Sequence, residues 1–177
     1  MYPRRPFNLA AYHELSRIQP CFICEIANGN PVYRTAHAMI YEDANVLVFL
    51  NRFPTLLGYT LVCPRAHREH PTADFTPDEY LMLQRMVYRV GEAVSREVPT
   101  ERLYILSLGS QQGNRHVHWH VAPLPPGAPY EEQQLAALDM HRGVLDVPPA
   151  TMASLARRIR SRLTGEPSEE SASGQQG

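Results

Sequence analysis

His116-Val117-His118-Trp119-His120-Val121-Ala122 sets three imidazoles in alternation with apolar side chains. A period of two belongs to a β-strand, whose successive side chains point to opposite faces. The stretch predicts a strand with His116, His118 and His120 on one face and Val117, Trp119 and Val121 on the other. Neighbouring imidazoles would stand roughly 6.5–7 Å apart along it. An apolar face against a core and a triple-imidazole face toward a cleft serves stability poorly. It serves chemistry near neutral pH well, because imidazole can be nucleophile, base, acid or metal ligand there.

Working outward, the flanking segments read as more strands and one long helix. Ala38 to Tyr41, Val46 to Leu50 and Tyr59 to Cys63 are strand-like, the last stopped by Pro64, with a turn at Glu42 to Asn45. Leu103 to Leu108 is another strand, joined to the histidine stretch through the loop Gly109 to Arg115. Thr76-Pro77-Asp78-Glu79 is a helix start, with a capping threonine, a proline at the first helical position and a glutamate that completes a capping box. Leu83, Val87, Val90 and Val94 then recur at helical spacing to about Glu97. This is an α+β pattern with a mostly antiparallel sheet of about five strands. Residues 1–20 read as an arm with one short helical turn, and Glu25 to Asn28 as a second turn. Beyond the prolines at 123, 125, 126 and 129, residues 126–164 form an extension that packs on the domain, with a basic helix over Thr151 to Leu163. Residues 165–177, made of Gly, Ser, Gln and Glu with one Pro and one Ala, lack the apolar content to fold and are expected to be disordered.

The 177 residues are 44% hydrophobic, enough for one domain with a real core. The net charge of −1 argues against a nucleic-acid partner, since duplex binding needs a clearly basic domain. Residues 165–177 hold three acids and no bases, so the rest of the chain carries +2. All basic residues are arginine, which we read as codon bias. No stretch reaches the length of a membrane span, and Arg4 and Arg5 precede no apolar run of leader length. Three cysteines are too few for a disulfide scaffold. A cytoplasmic protein without a membrane partner is expected.

Cys21-Phe22-Ile23-Cys24, taken alone, is a zinc knuckle, a redox pair or an accident. Pro64-Arg65-Ala66-His67 and the triad change the balance. Two thiolates on a tight turn, with His67 and His116 from separate strands, complete a tetrahedral four-ligand site for structural zinc. Such a closed site does no Lewis-acid chemistry, and it leaves His118 free to react.

With its H-x-H-x-H followed by two apolar residues, the chain resembles the histidine triad (HIT) family of nucleotide hydrolases and transferases. The likeness runs from about Cys21 to Pro123. Asn51-Arg52-Phe53-Pro54 and Gly58 to Pro64 look most like the bacterial diadenosine tetraphosphate hydrolase and phosphorylase branch. The resemblance implies a HIT-like catalytic domain over residues 21–125 and a nucleotide-type small-molecule substrate. His118 matches the nucleophile that attacks the α-phosphorus and forms a nucleotidyl-histidine. His120 matches a histidine that contacts phosphate, and Gln112 a glutamine near the bridging or leaving oxygen. His116, Cys21, Cys24 and His67 match the zinc ligands. Asn51 falls where many members place an acid on the ribose, and Phe49, Leu50 and Phe53 would line a base pocket. A homodimer is implied by the resemblance alone.

The chain departs from the family pattern at Gly113, where serine is common, at Asn51, and at Tyr59, where histidine is common. It also lacks a cation after Pro123. The activity expected is hydrolysis at the α-phosphate of a dinucleoside polyphosphate or a nucleoside phosphoramidate. The alternatives are a nucleotidylyltransferase or phosphorylase using a phosphate acceptor, a non-catalytic nucleotide-binding protein, and a repurposed triad enzyme. Covalent catalysis by a neutral imidazole divides one hard displacement into two. Backbone N–H groups of the Gly109 to Arg115 loop, and His120 when protonated, would stabilise the developing charge. Arg115 should point away from His116, and His141 and Arg142 are weaker candidates for substrate contact.

Overall fold

The computed structural model of the chain describes residues 2–108 and 114–165. Strand β1 (Arg4–Arg5) leads into helix α1 (Leu9–Ile18), whose first turn is capped by the Asn8 side chain. Where the sequence suggested a single turn, the helix runs ten residues. Its anchor is tertiary: Phe7 and Tyr12 close on Phe53, with ring centroids 4.9 and 5.9 Å away. Helices α2 (Phe22–Ala27) and α3 (Pro31–Thr35) follow, then strands β2 (Met39–Glu42), β3 (Val46–Leu50) and β4 (Thr60–Pro64). Helix α4 (Pro77–Glu97) precedes β5 (Arg102–Leu106) and β6 (Trp119–Leu124). Helix α5 (Leu135–Leu138), strand β7 (Val144–Leu145) and helix α6 (Pro149–Thr164) complete the described residues.

The five central strands form an antiparallel sheet in the order β2-β3-β4-β6-β5, in keeping with the α+β expectation. Alternation assigns each residue to a layer. Val46, Val48, Leu50, Val62, Trp119 and Val121 point to one face, where α4 and α6 cover them with Leu83, Val87, Val90, Val94, Leu155 and Ile159. Leu47, Phe49, Leu61 and Cys63 point to the other, against Ile23 and Ile26 of α2 and Ala137 of α5. Each such aliphatic side chain contributes about 1.5–3 kcal/mol when fully buried. Both halves of the Thr76–Glu79 capping box form, at 2.8 and 3.2 Å.

The extension is tied to the domain by more than apolar contact. Glu97, at the end of α4, accepts from Arg158 at 3.0 Å and Arg162 at 2.6 Å, both on α6. β7 pairs with β1, so the arm and the extension meet over the loop that follows β3, where the Leu145 N–H donates to the Pro54 carbonyl at 2.8 Å. Gly143 lies in that strand junction at φ +86°, where a Cβ would meet the Arg5 carbonyl oxygen at 2.8 Å.

One predicted boundary moves. Alternation predicts a strand from His116, but β6 starts at Trp119. Before it the backbone is engaged elsewhere: the Val117 N–H donates to the Arg68 carbonyl at 2.7 Å instead of joining the ladder. The facing rule still holds, with Val117, Trp119 and Val121 all buried on the helix side.

Candidate active site and metal centre

Cys21 caps α2 and Cys24 sits one turn on, so both thiols rise from one helix start. His67 lies just beyond β4, and His116 just before β6. The Arg65 guanidinium donates to the carbonyls of Ala27 and Asp43, each at 2.8 Å, and so fastens the His67 loop to the end of α2. The four ligand atoms lie within 4.8 Å of one another. Cys21 Sγ to His116 Nδ1 is 3.5 Å, Cys24 Sγ to His116 Nδ1 is 3.6 Å, and Cys24 Sγ to His67 Nδ1 is 3.3 Å. A tetrahedron with Zn–S near 2.3 Å and Zn–N near 2.0–2.1 Å has S···N edges of about 3.5 Å. The outward nitrogens are held as metal-binding imidazoles require. His116 Nε2–H donates to the Pro64 carbonyl at 2.9 Å, and His67 Nε2 is 3.2 Å from Glu69 Oε1. Burial pushes His116 down to about 4, which keeps its Nδ1 lone pair free at neutral pH. Burial and the adjacent Cys21 raise the pKa of the Cys24 thiol. This closed donor set supports structural zinc.

The next imidazoles stand clear of that cluster. His118 and His120 are half-buried, with ring centroids 4.7 Å apart. His118 Nδ1 lies 2.7 Å from the His116 carbonyl oxygen. A carbonyl can only accept, so Nδ1 carries the hydrogen and Nε2 presents a lone pair. Ser107 Oγ donates to the His118 carbonyl at 2.9 Å and fixes the backbone from the β5 side. Burial lowers the pKa of His118, and burial followed by the influence of His118 pushes His120 down to about 3. This shift favours a neutral His120, which can still serve phosphate as an N–H donor.

The sheet register places Phe49, Leu61, His120 and Leu106 in one row across four strands. Phe49 thus shares the face that carries His120. Leu50 does not: it points to the helix side and is wholly buried there, so its reading as part of a base pocket is withdrawn. Phe53 turns to Phe7 and Tyr12, with the Arg52 guanidinium 5.1 Å above its ring. Asn51 closes a turn by accepting from the Phe53 N–H at 2.9 Å, which leaves its amide NH2 for other partners. Gln112 and Gly113 lie outside the described residues. Arg115 is exposed, 3.7 Å from Glu69, and Arg142 pairs with Glu132 at 2.7 Å.

Sequence reasoning passed over three contributors. His37 stacks on Phe22 at 5.4 Å with planes 6° apart, and meets Phe49 edge-on at 5.3 Å, so an aromatic cluster flanks the row. Ser107 carried no signal. Tyr59, which in sequence is a departure from the family histidine, places its hydroxyl 2.9 Å from His120 Nδ1.

The HIT domain family model matches residues 34–126. The chain belongs to the HIT family. The matched segment begins after Cys21 and Cys24, so the two thiols of the metal cluster stand outside it. An uncharacterized HIT-like protein of Saccharolobus solfataricus is 30% identical over 106 residues, 58% of this chain and 73% of that protein. Among solved structures, a hypothetical histidine triad nucleotide-binding protein from Sulfolobus tokodaii aligns with a TM-score of 0.65 at 23% identity, over 82% of this chain and 93% of that one. A Zn-bound histidine triad family protein from Mycobacterium smegmatis aligns with a TM-score of 0.63 at 24% identity, over 89% and 99%. These likenesses establish the HIT fold. No helix among the described residues is long and apolar enough to cross a membrane.

Proposed function

We propose that this HIT protein is a nucleotide hydrolase. It cleaves at the α-phosphate of a nucleotide conjugate, a dinucleoside polyphosphate or a nucleoside phosphoramidate, through a nucleotidyl intermediate on His118. Family membership supports nucleotide binding. The observation that carries the catalytic reading is the 2.7 Å hydrogen bond from His118 Nδ1–H to the His116 carbonyl. In the first displacement the Nε2 lone pair forms a P–N bond as the bond to the leaving group breaks. Nδ1 keeps its hydrogen, and the His116 carbonyl steadies the positive ring that results. Water then attacks the same phosphorus and gives up a proton to solvent, which supplies the one that the departing group takes, and the P–N electron pair returns to Nε2. His120 and Asn51 complete the proposed substrate contacts, Phe49 being wholly buried, and Gln112 and Gly113 are proposed to act on the leaving group. When bound, zinc holds Cys21, Cys24, His67 and His116 together and so fixes the carbonyl that orients His118.

The test is to trap the intermediate with a labelled dinucleoside polyphosphate and map the label. Label on His118 that water discharges supports the hydrolase. Label that is discharged by inorganic phosphate or a sugar phosphate, and not by water, makes the enzyme a transferase. The same reading includes a homodimer and a cytoplasmic location. For the first, the edge strand β5 leaves Ile105 exposed, with Leu108 exposed just beyond it.

A further inference from the structure

The proposed chemistry makes opposite demands on two neighbouring imidazoles. A nucleophile needs a bare ring nitrogen, whereas a group that steadies phosphate charge needs a ring N–H. A neutral imidazole has one of each, so the partner of Nδ1 decides what Nε2 can do. For His118 that partner is a carbonyl, and Nε2 is bare.

For His120 the partner differs in kind. Its Nδ1 faces the Tyr59 hydroxyl at 2.9 Å, and the two rings meet edge-on with centroids 5.7 Å apart. Tyr59 is 6% exposed, and among the described residues its hydroxyl has no other hydrogen-bond partner. A buried hydroxyl that donates to nothing is a net cost, so its hydrogen points at His120 Nδ1. Burial holds the phenol pKa well above its ordinary value, so that hydrogen stays in place at neutral pH. Nδ1 then accepts, and the ring hydrogen of neutral His120 resides on Nε2.

We propose that Tyr59 is a positioning residue that holds His120 as the Nε2–H tautomer, opposite to His118, so that His120 offers a neutral donor to the phosphate oxygens. Its catalytic consequence rests on the nucleotidyl-histidine reading, but its geometry does not. No proton moves in this role: the O–H stays on Tyr59 and the N–H on His120. A histidine at position 59 could either donate or accept. A neutral phenol facing a neutral imidazole donates, which fixes one arrangement. Tyr59 shares the parity of Leu61 and Cys63 and so takes the histidine face, and Gly58 at φ +85° leads the chain into that strand.

Long-range 1H–15N NMR of the zinc-loaded, 15N-histidine-labelled protein tests this directly, because bare and protonated ring nitrogens resonate apart. His118 should show Nδ1–H with bare Nε2, and His120 the reverse. In Tyr59→Phe the His120 pattern should become mixed while that of His118 stays. Labelling of His118 by a dinucleoside polyphosphate should slow roughly tenfold, the effect of one net hydrogen bond, with zinc content unchanged. An Nδ1–H form of His120 in the wild type overturns the proposal, as does a Tyr59→Phe protein with unaltered His120 tautomer and rate. Should Tyr59→Phe not fold, the wild-type spectrum decides. The predicted tautomers without any labelling of His118 support the role of Tyr59 and count against the nucleotidyl reading instead.

Discussion

At the scale of single residues, His118 is set apart by what its neighbours already hold. His116 is committed to the metal cluster and Pro64, and His120 to Tyr59. His118→Ala removes the attacking nitrogen and leaves those contacts alone. Turnover should fall by roughly three orders of magnitude or more, while zinc content and nucleotide affinity persist. Wild-type turnover in that variant on the true substrate would end the covalent reading. Gly58→Ala tests the turn that leads into Tyr59. The left-handed backbone and a Cβ placed 3.0 Å from Val98 Cγ2 should cost about 1–2 kcal/mol by denaturant unfolding. An unchanged midpoint would mean that the turn tolerates a side chain and has another conformation. The triad and its metal ligands were legible as residue types at fixed spacing. The partner of His120 was not, because Tyr59 and His120 lie 61 positions apart and meet by pairing of β4 with β6.

At the scale of elements, the metal cluster joins pieces that share little else. It bridges the start of α2, the loop after β4 and the segment leading into β6. Cys24→Ser should lower both zinc content and melting temperature, and a strong chelator should do the same to the wild type. Elemental analysis beside a thermal melt reads both, and unchanged melting in zinc-free protein would remove the structural role. Helix α4 offers a separate check on local physics. Thr76→Ala breaks half of its capping box and should cost about 1 kcal/mol without touching zinc or activity. That helix was readable to within a residue, since cap, proline and apolar stripe are all local signals. The start of β6 was misjudged because the Arg68 carbonyl takes the Val117 N–H, a competition that periodicity cannot register.

At the scale of the whole molecule, the extension beyond residue 125 belongs to the core. Leu155 and Ile159 are fully buried under the sheet, and Glu97 keeps 9% side-chain exposure between Arg158 and Arg162. Ending the chain at Gly127 should therefore unfold it, by exposing apolar surface and leaving a buried carboxylate without its cations. Ending it at Gly165 should leave stability and turnover intact. Circular dichroism melts of the two truncations distinguish these outcomes, and a stable protein ending at Gly127 would contradict the packing. Light scattering at micromolar concentration tests the homodimer, which a monomeric mass would exclude.

The sequence by itself determined the α+β class, the long capped helix and the facing of the histidine stretch, and it named the four metal ligands. The first three follow from side-chain period and local caps, and the ligands from residue chemistry, although they lie up to 95 positions apart. What the tertiary structure decided was the sending of Leu50 away from the histidine face, the holding of the arm by Phe53, and the burial of α6 beside α4. It also decided the two ring tautomers. A tautomer is set by whichever acceptor or donor reaches one nitrogen, and for His120 that is a tyrosine hydroxyl brought in by strand pairing.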